Sequence, residues 1–392
     1  MFTYFPTSYT YSSAINLCLS AGGQISQIDR YLSPLRTTLS LSPTSTPDPL
    51  LWTHAFRALA TQQTTLADAD VKNGYFQSAS ARYFRAATYF LTGERQTPRG
   101  DEKTRCYELG LRAFEAGRKY MCEGKKLERV EINSPDGMLP GYIIPAGKES
   151  EKRTPVVIFY NGFDVTKELL YGIIREEFAN RGIMCLVIDT PGTGEPLRLR
   201  SVASRFDYEV PTTAIVDYLL TRMDVDGERI GLVGISLGGY YAPRGAAFEK
   251  RIKAVVAWGA IWDYGKTWQC RWETRTEKTS VPFWQLPWVM GTETMEEALV
   301  KVRAWSLEGV LGNLTQPFLI VHGEEDGLVP MEDARKQFDA AGSGDKHLRV
   351  FSADEGSCEH VGADDIDPVR HLVADWFAQR LGTATRGISS SH

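Results

Sequence analysis

The chain has 392 residues, 43% of them hydrophobic and 24% charged, with a formal net charge of −5. That length exceeds a single small core and calls for one large domain with an appendage, or two domains. The mild acidity argues against nucleic-acid binding, and without a run of roughly 18 apolar residues no membrane span is expected.

The start, Met1-Phe2-Thr3-Tyr4-Phe5-Pro6, has neither a basic stretch nor an apolar run behind it, so no export signal is expected and the cytoplasm is the expected location. The six cysteines form no C-x-x-C pair and read as reduced and mostly buried thiols; no metal site and no cofactor is expected.

Up to about residue 124 the pattern is helical. Apolar stripes run from Leu51 to Leu66, from about Asp68 to Thr92 and from about Glu102 to Tyr120. Residues 38–49, rich in Ser, Thr and Pro, read as a loop, and Gly93 with Gln96–Gly100 separates the last two stripes. Residues 1–124 are therefore expected to form an all-helical N-terminal domain.

The period then changes. Leu127–Ser134 and Leu139–Pro145 flank Pro135-Asp136-Gly137, a hairpin signal. Strands are expected at 155–160, 183–188, 230–234, 252–258, 318–321 and 348–351. Helices are expected at 167–181, 208–223, 237–249, 332–340 and 367–381. This alternation implies a mainly parallel sheet covered on both faces, and an antiparallel hairpin feeding it matches the α/β-hydrolase fold. The catalytic domain is expected over 125–259 and 308–382. Residues 260–307 interrupt it with Trp262, Tyr264, Trp268, Trp272, Phe283, Trp284, Trp288 and Trp305, and read as a lid packed against the helical domain. Residues 383–392 read as a disordered tail.

Gly234-Ile235-Ser236-Leu237-Gly238 has an apolar strand before it and a helix after it, the setting in which G-x-S-x-G carries a nucleophile. Ser236 is the expected nucleophile. A serine hydroxyl needs a base, and the base an orienting acid, in the chain order Ser, acid, His. The turn His322-Gly323-Glu324-Glu325-Asp326-Gly327-Leu328-Val329-Pro330 follows a strand and puts forward Asp326, with Glu324 and Glu325 as solvated rivals and His322 as a structural histidine. Downstream, His347 begins a strand, His371 lies inside a helix and His392 is in the tail. His360, in the loop after the last strand, is the expected base.

An oxyanion hole needs backbone N–H donors at the developing charge. Leu237 is expected to supply one, and Phe163, in Asn161-Gly162-Phe163-Asp164, the other. Asp164, Lys167 and Glu168 belong at the mouth, chiefly as surface charge, with substrate contact as the alternative. Trp262 and Trp268 of the lid are further candidates for substrate contact. The loop Asp189-Thr190-Pro191-Gly192-Thr193-Gly194-Glu195 lacks the Gly-Lys-Ser/Thr ending of a nucleotide loop.

Three motifs together narrow the match: Tyr160-Asn161-Gly162-Phe163-Asp164-x-x-Lys167-Glu168, Asp189-x-Pro191-Gly192-x-Gly194-Glu195 and Gly234-Ile235-Ser236-Leu237-Gly238-Gly239-Tyr240. With the helical N-terminal region, the chain resembles the 2,6-dihydroxypseudooxynicotine hydrolase and yellowish-green pigment hydrolase family from about residue 50 to about residue 380. The family's Asn-Gly-Gly is Asn161-Gly162-Phe163 here. The resemblance implies a serine-dependent acyl-transfer enzyme of polyketide or secondary metabolism. Its bacterial members cleave a carbon–carbon bond, and fungal members shorten, release or lactonise polyketides. It also implies a small polyketide-like substrate, delivered free or as a carrier-protein or CoA thioester, and a homodimer. A generic carboxylesterase, or a binding protein on the same fold, are the alternatives.

Overall fold

The computed structural model describes residues 1–41, 48–147, 153–163, 165–174, 176–276 and 278–383. Asp164 and residues 384–392, on which two expectations fall, lie outside them, as do residues 42–47 of the 38–49 segment.

Five helices come first: α1 (Tyr9–Ser20), α2 (Ile25–Leu41), α3 (Pro49–Lys72), α4 (Phe76–Arg95) and α5 (Asp101–Lys119). The first two have no counterpart among the expected stripes. Ser8 caps α1 by accepting a hydrogen bond from the Tyr11 N–H, but α2 carries Pro34 inside it, which disguises a helix in the sequence. Asp48 caps α3 through the Leu50 N–H, with Pro49 in the first turn. The helix runs to Lys72, past the break expected near residue 67, because nothing before Gly74 interrupts it; Gly74 turns the chain at φ +77°.

The sheet follows: β1 (Glu128–Ser134), β2 (Gly137–Ile144), β3 (Thr154–Tyr160), α6 (Lys167–Ile174), β4 (Met184–Ile188), α7 (Gly194–Arg200), α8 (Glu209–Thr221), β5 (Val225–Ile235), α9 (Gly238–Phe248) and β6 (Ala254–Trp258). The inserted segment holds α10 (Tyr264–Thr274), α11 (Gln285–Met290) and α12 (Met295–Lys301). Then come β7 (Phe318–Gly323), α13 (Met331–Ala340), β8 (Lys346–Phe351) and α14 (Ile366–Arg380). The strand order is β1-β2-β4-β3-β5-β6-β7-β8, antiparallel at β1, β2 and β4 and parallel elsewhere. This is the expected α/β-hydrolase fold. Every residue of β4, β6 and β7 is buried, as strands covered on both faces require. Helix α7 stands where a loop is expected.

The pleat of β3 separates two cores. Val157 and Phe159 join the core that also holds Trp52, Tyr89 and Tyr107 of the N-terminal helices and Phe377 of α14. Val156, Ile158 and Tyr160 face the other core, with Tyr240 and Tyr241 of α9 and Trp268 and Trp305 of the insertion. The five N-terminal helices thus share one continuous core with one face of the sheet. Among the described residues no helix is long and apolar enough to cross a membrane.

A second tie joins the parts. The Glu94 carboxylate of α4 takes a bidentate pair from Arg198 of α7 (2.8 and 3.0 Å) and lies 2.7 Å from Lys103 of α5. Arg198 and Lys103 both lie over Trp288 of α11, at 5.4 and 5.0 Å. Burial opposes the charge on Glu94, but the two cations outweigh it and hold its carboxyl below the usual range. Lys103 is pulled down to about 8, burial being the main cause and Arg198 a further one.

Candidate active site

Strand β5 ends in a turn that only small residues permit. A Cβ on Gly234 would lie 1.9 Å from the Gly238 carbonyl oxygen, and one on Gly239 2.3 Å from that of Gly259. Ser236 sits at φ +60°, a left-handed conformation that costs a non-glycine residue energy. Its N–H donates to the Trp258 carbonyl (2.8 Å) and its carbonyl accepts from Gly239 (2.7 Å), so both neighbouring elements hold the turn. The hydroxyl stands at the carboxyl end of the sheet, where open α/β sheets place their sites.

Asp326 lies in the turn after β7. Its Oδ1 accepts from the N–H groups of Leu328 (2.8 Å) and Val329 (2.9 Å), leaving Oδ2 to face His360 Nδ1 at 2.8 Å. Burial works against ionisation of Asp326, yet His360 beside it and the backbone donors prevail and hold the carboxyl below the usual range. The fully buried His322 hydrogen-bonds the Val329 carbonyl at 3.1 Å, and burial keeps its imidazole below the ordinary histidine value. It buttresses the turn and is not the ring facing Ser236. Glu324 and Glu325 are exposed.

His360 opens a short 3-10 turn (His360–Gly362) after β8. Asp364 shapes the loop by accepting from the N–H groups of Cys358 (3.1 Å) and Glu359 (2.9 Å), and the Trp258 indole N–H donates to the Val361 carbonyl (3.0 Å). Nε2 of His360 lies 2.8 Å from Ser236 Oγ. Ser236, His360 and Asp326, 124 and 34 residues apart in sequence, thus form one hydrogen-bonded row.

The loop after β3 lies against this row. A Cβ on Gly162 would be 3.0 Å from Ser236 Cβ and 3.6 Å from its Oγ, so the glycine lies directly against the serine, and Phe163 is the next residue along the chain. The Phe163 ring turns away, buried against Tyr264 (5.9 Å) and Trp268 (5.6 Å) of α10. Leu237 begins the turn into α9, where unpaired helix N–H groups favour negative charge.

A cleft opens on Ser236 and His360. Its floor includes Gly162 and Ile235. Its walls include Leu170 and Ile173 of α6, Val361 and Ile366 near α14, and Ser280 of the insertion. The N-terminal helices supply Ser13, Leu17 and Ser20 from α1 and Arg95 from α4, whose guanidinium donates to the Ser280 carbonyl at 3.0 Å. Sequence reasoning misses these four. Helix α1 has no counterpart among the expected stripes, and Arg95 lies just past the end of one.

Of the tentative substrate contacts, Lys167, Glu168, Trp262 and Trp268 fall among the described residues, and none is in the lining of this cleft. Lys167 and Glu168 are neither surface charges nor cleft residues but fully buried. Lys167 Nζ lies 2.7 Å from Glu168, 2.9 Å from Asp189 and 2.5 Å from Glu195. Arg129 adds a pair with Glu195 at 3.0 Å. Glu168, Asp189 and Glu195 lie close enough to share a metal ion, but the Lys167 ammonium occupies the place among them. Burial would strip the proton from Lys167, but the carboxylates around it hold its pKa above the usual value. Two cations face three carboxylates, and burial raises Glu168 despite Lys167. Glu195, closer to both cations, is held low against its burial. Trp268 is buried in the insertion's core, and Trp262, half-buried, donates its backbone N–H to Asp333 (2.9 Å); neither lines the cleft.

The esterase FrsA-like family model matches residues 51–354. The chain belongs to the FrsA-like esterase family. The matched stretch includes Ser236 and Asp326 and stops short of His360. This FrsA-like chain is 33% identical over 251 residues to an α/β hydrolase of Acremonium sp, covering 59% of this chain but only half of that protein's length. It is 28% identical over 370 residues to the 20-hydroxy-prefusarin hydrolase of Gibberella moniliformis, covering 84% and 88% of the two chains. It is 32% identical over 254 residues to the 2,6-dihydropseudooxynicotine hydrolase of Paenarthrobacter nicotinovorans, covering 64% of each. The solved 2,6-dihydroxy-pseudo-oxynicotine hydrolase superposes with a TM-score of 0.75 at 24% identity, over 93% of this chain and 95% of that one, and shares the fold. The resemblance read from the loop motifs is thereby borne out, and with it the assignment as a hydrolase.

Proposed function

We propose that this FrsA-like esterase works through an acyl-enzyme on Ser236. The observation that carries the reading is the row of two 2.8 Å contacts from Ser236 Oγ through His360 to Asp326. With Nδ1–H donated to Asp326, Nε2 is left with the lone pair that takes the serine proton. The alkoxide attacks the substrate carbonyl, and the N–H groups of Phe163 and Leu237 receive the developing oxyanion. His360 passes its proton to the leaving group. Water then releases the acid, or a hydroxyl on the acyl group attacks instead and gives a lactone.

The substrate is a polyketide-like acyl compound, free or as a carrier-protein or CoA thioester. Supporting this are the apolar walls of the cleft and the similarity to the 20-hydroxy-prefusarin and 2,6-dihydropseudooxynicotine hydrolases. Simple carboxylester hydrolysis is the second reading, favoured by the family description.

Intact-mass detection of an acyl group on Ser236 after incubation with acyl thioesters tests the first reading. Ser236→Ala should show no adduct and lose about 10⁴–10⁶-fold in turnover. Full activity in that variant would remove the nucleophile. Turnover of short p-nitrophenyl esters far above that of any acyl thioester would favour the second reading.

A further inference from the structure

The loop motif Asp189–Glu195 and the pair Lys167-Glu168 have no part in the chemistry above, yet Asp189 and Lys167 are wholly inaccessible to solvent. Burying such charges is costly unless each is paired and hydrogen-bonded, so their arrangement has to be accounted for. Asp189 Oδ1 accepts from the Asn161 side-chain amide (2.8 Å) and from the Lys167 backbone N–H (2.8 Å). Oδ2 accepts from Lys167 Nζ (2.9 Å) and from the Glu195 backbone N–H (3.2 Å). A Cβ on Gly194 would lie 1.8 Å from Oδ2, so the glycine admits the carboxylate.

Asn161 and Lys167 lie on either side of Gly162, the residue packed against Ser236. One carboxylate therefore grips the chain on both sides. Asn161 is anchored again by its amide's contact with the Ile188 carbonyl at 3.3 Å. Lys167 bridges Asp189 to Glu195, so the clamp is itself braced.

Building on the assignment of Ser236 and Phe163 above, we propose that Asp189, locked by Lys167, is a positioning residue that sets the oxyanion loop Asn161–Phe163 against Ser236 through Asn161. It touches no substrate. Its effect is confined to the state in which negative charge sits on the carbonyl oxygen, because donors displaced by about 1 Å lose most of their value there.

The test compares Asn161→Ala, Asn161→Ser, Asp189→Asn and Ser236→Ala with the wild-type chain on one p-nitrophenyl ester. The readouts are kcat, KM, the affinity of benzeneboronic acid, which forms a tetrahedral adduct on serine, and the melting temperature. Asn161→Ala is the deciding variant, because it breaks the link without altering any charge. Its kcat should fall by about 100-fold, with KM within about 3-fold of wild type and boronate affinity falling with kcat/KM. Asn161→Ser, which keeps a short donor, should recover part of kcat. Asp189→Asn should show the same loss of kcat together with a lower melting temperature. Wild-type kcat and boronate affinity in folded Asn161→Ala would overturn the proposal. So would a change in KM alone. Activity surviving in Ser236→Ala would instead overturn the nucleophile assignment, so the two failures are distinguishable.

Discussion

Asp326 and His360 come from the loops after two neighbouring strands, β7 and β8, and meet through one oxygen: Oδ2 lies 2.8 Å from Nδ1, while Oδ1 is taken up by Leu328 and Val329 N–H groups. The carboxylate cannot rotate away without breaking the two hydrogen bonds it accepts from backbone N–H groups. Asp326→Asn should therefore leave the fold intact and lower kcat by about 10⁴-fold, because an amide no longer selects the tautomer with Nδ1–H. Hydrolysis of a p-nitrophenyl ester measures it, and a loss below about 10-fold would refute the role.

The charges around Lys167 make a prediction about pH. Glu168 is raised in the folded chain, so the fold favours its neutral form. Its contribution to stability is fully present below the unfolded carboxyl range of about 4.3 and is lost as pH rises through its folded value. Glu168→Gln should remove that loss. Melting temperature followed from pH 4 upward should fall less in the variant than in the wild-type chain, and parallel curves would contradict the assignment. Glu195 has the opposite sign: it is held low, and its contribution disappears as pH falls through its folded value.

Glu94 neutralises two buried cations, Lys103 and Arg198. Glu94→Ala would leave both without that carboxylate beneath Trp288, at a cost of about 3–5 kcal/mol. Denaturant midpoints with an unchanged slope would report it. A cost under about 1 kcal/mol would mean that the knot contributes little to the fold.

Leu17 of α1 lines the cleft with Leu170 and Ile173. Leu17→Trp should lower kcat/KM for long acyl esters while sparing acetyl esters. The ratio of the two across a chain-length series is the measurement, and a uniform change would place the acyl group elsewhere.

The fold is legible where periodicity and punctuation agree. Strands β3 to β8 and the Gly234–Gly238 turn stand out because buried parallel strands are short apolar runs bounded by turns. The members of the Ser236, Asp326 and His360 row can be named because each follows a strand at a spacing that chemistry requires. Helix α2 is hidden by Pro34, and α3 runs on past residue 67 to Lys72 because residues 67–73 hold no glycine or proline to stop it. Lys167 and Glu168 mislead for a physical reason: a lysine beside a glutamate in a loop motif reads as surface charge. The carboxylates that make their burial tolerable come from Asp189 and Glu195, distant in sequence. Arg95 and Leu17 leave no signal at all.

The cleft draws its walls from α1 and from residues 360–366, with much of the chain between them forming the frame. During synthesis, the helices that cover the site emerge before the sheet and must wait for His360, 124 residues beyond Ser236. A ribosome-bound fragment lacking it has Ser236 without its imidazole and an unfinished pocket. The Ser236–His360–Asp326 row is therefore completed late in the synthesis of this chain.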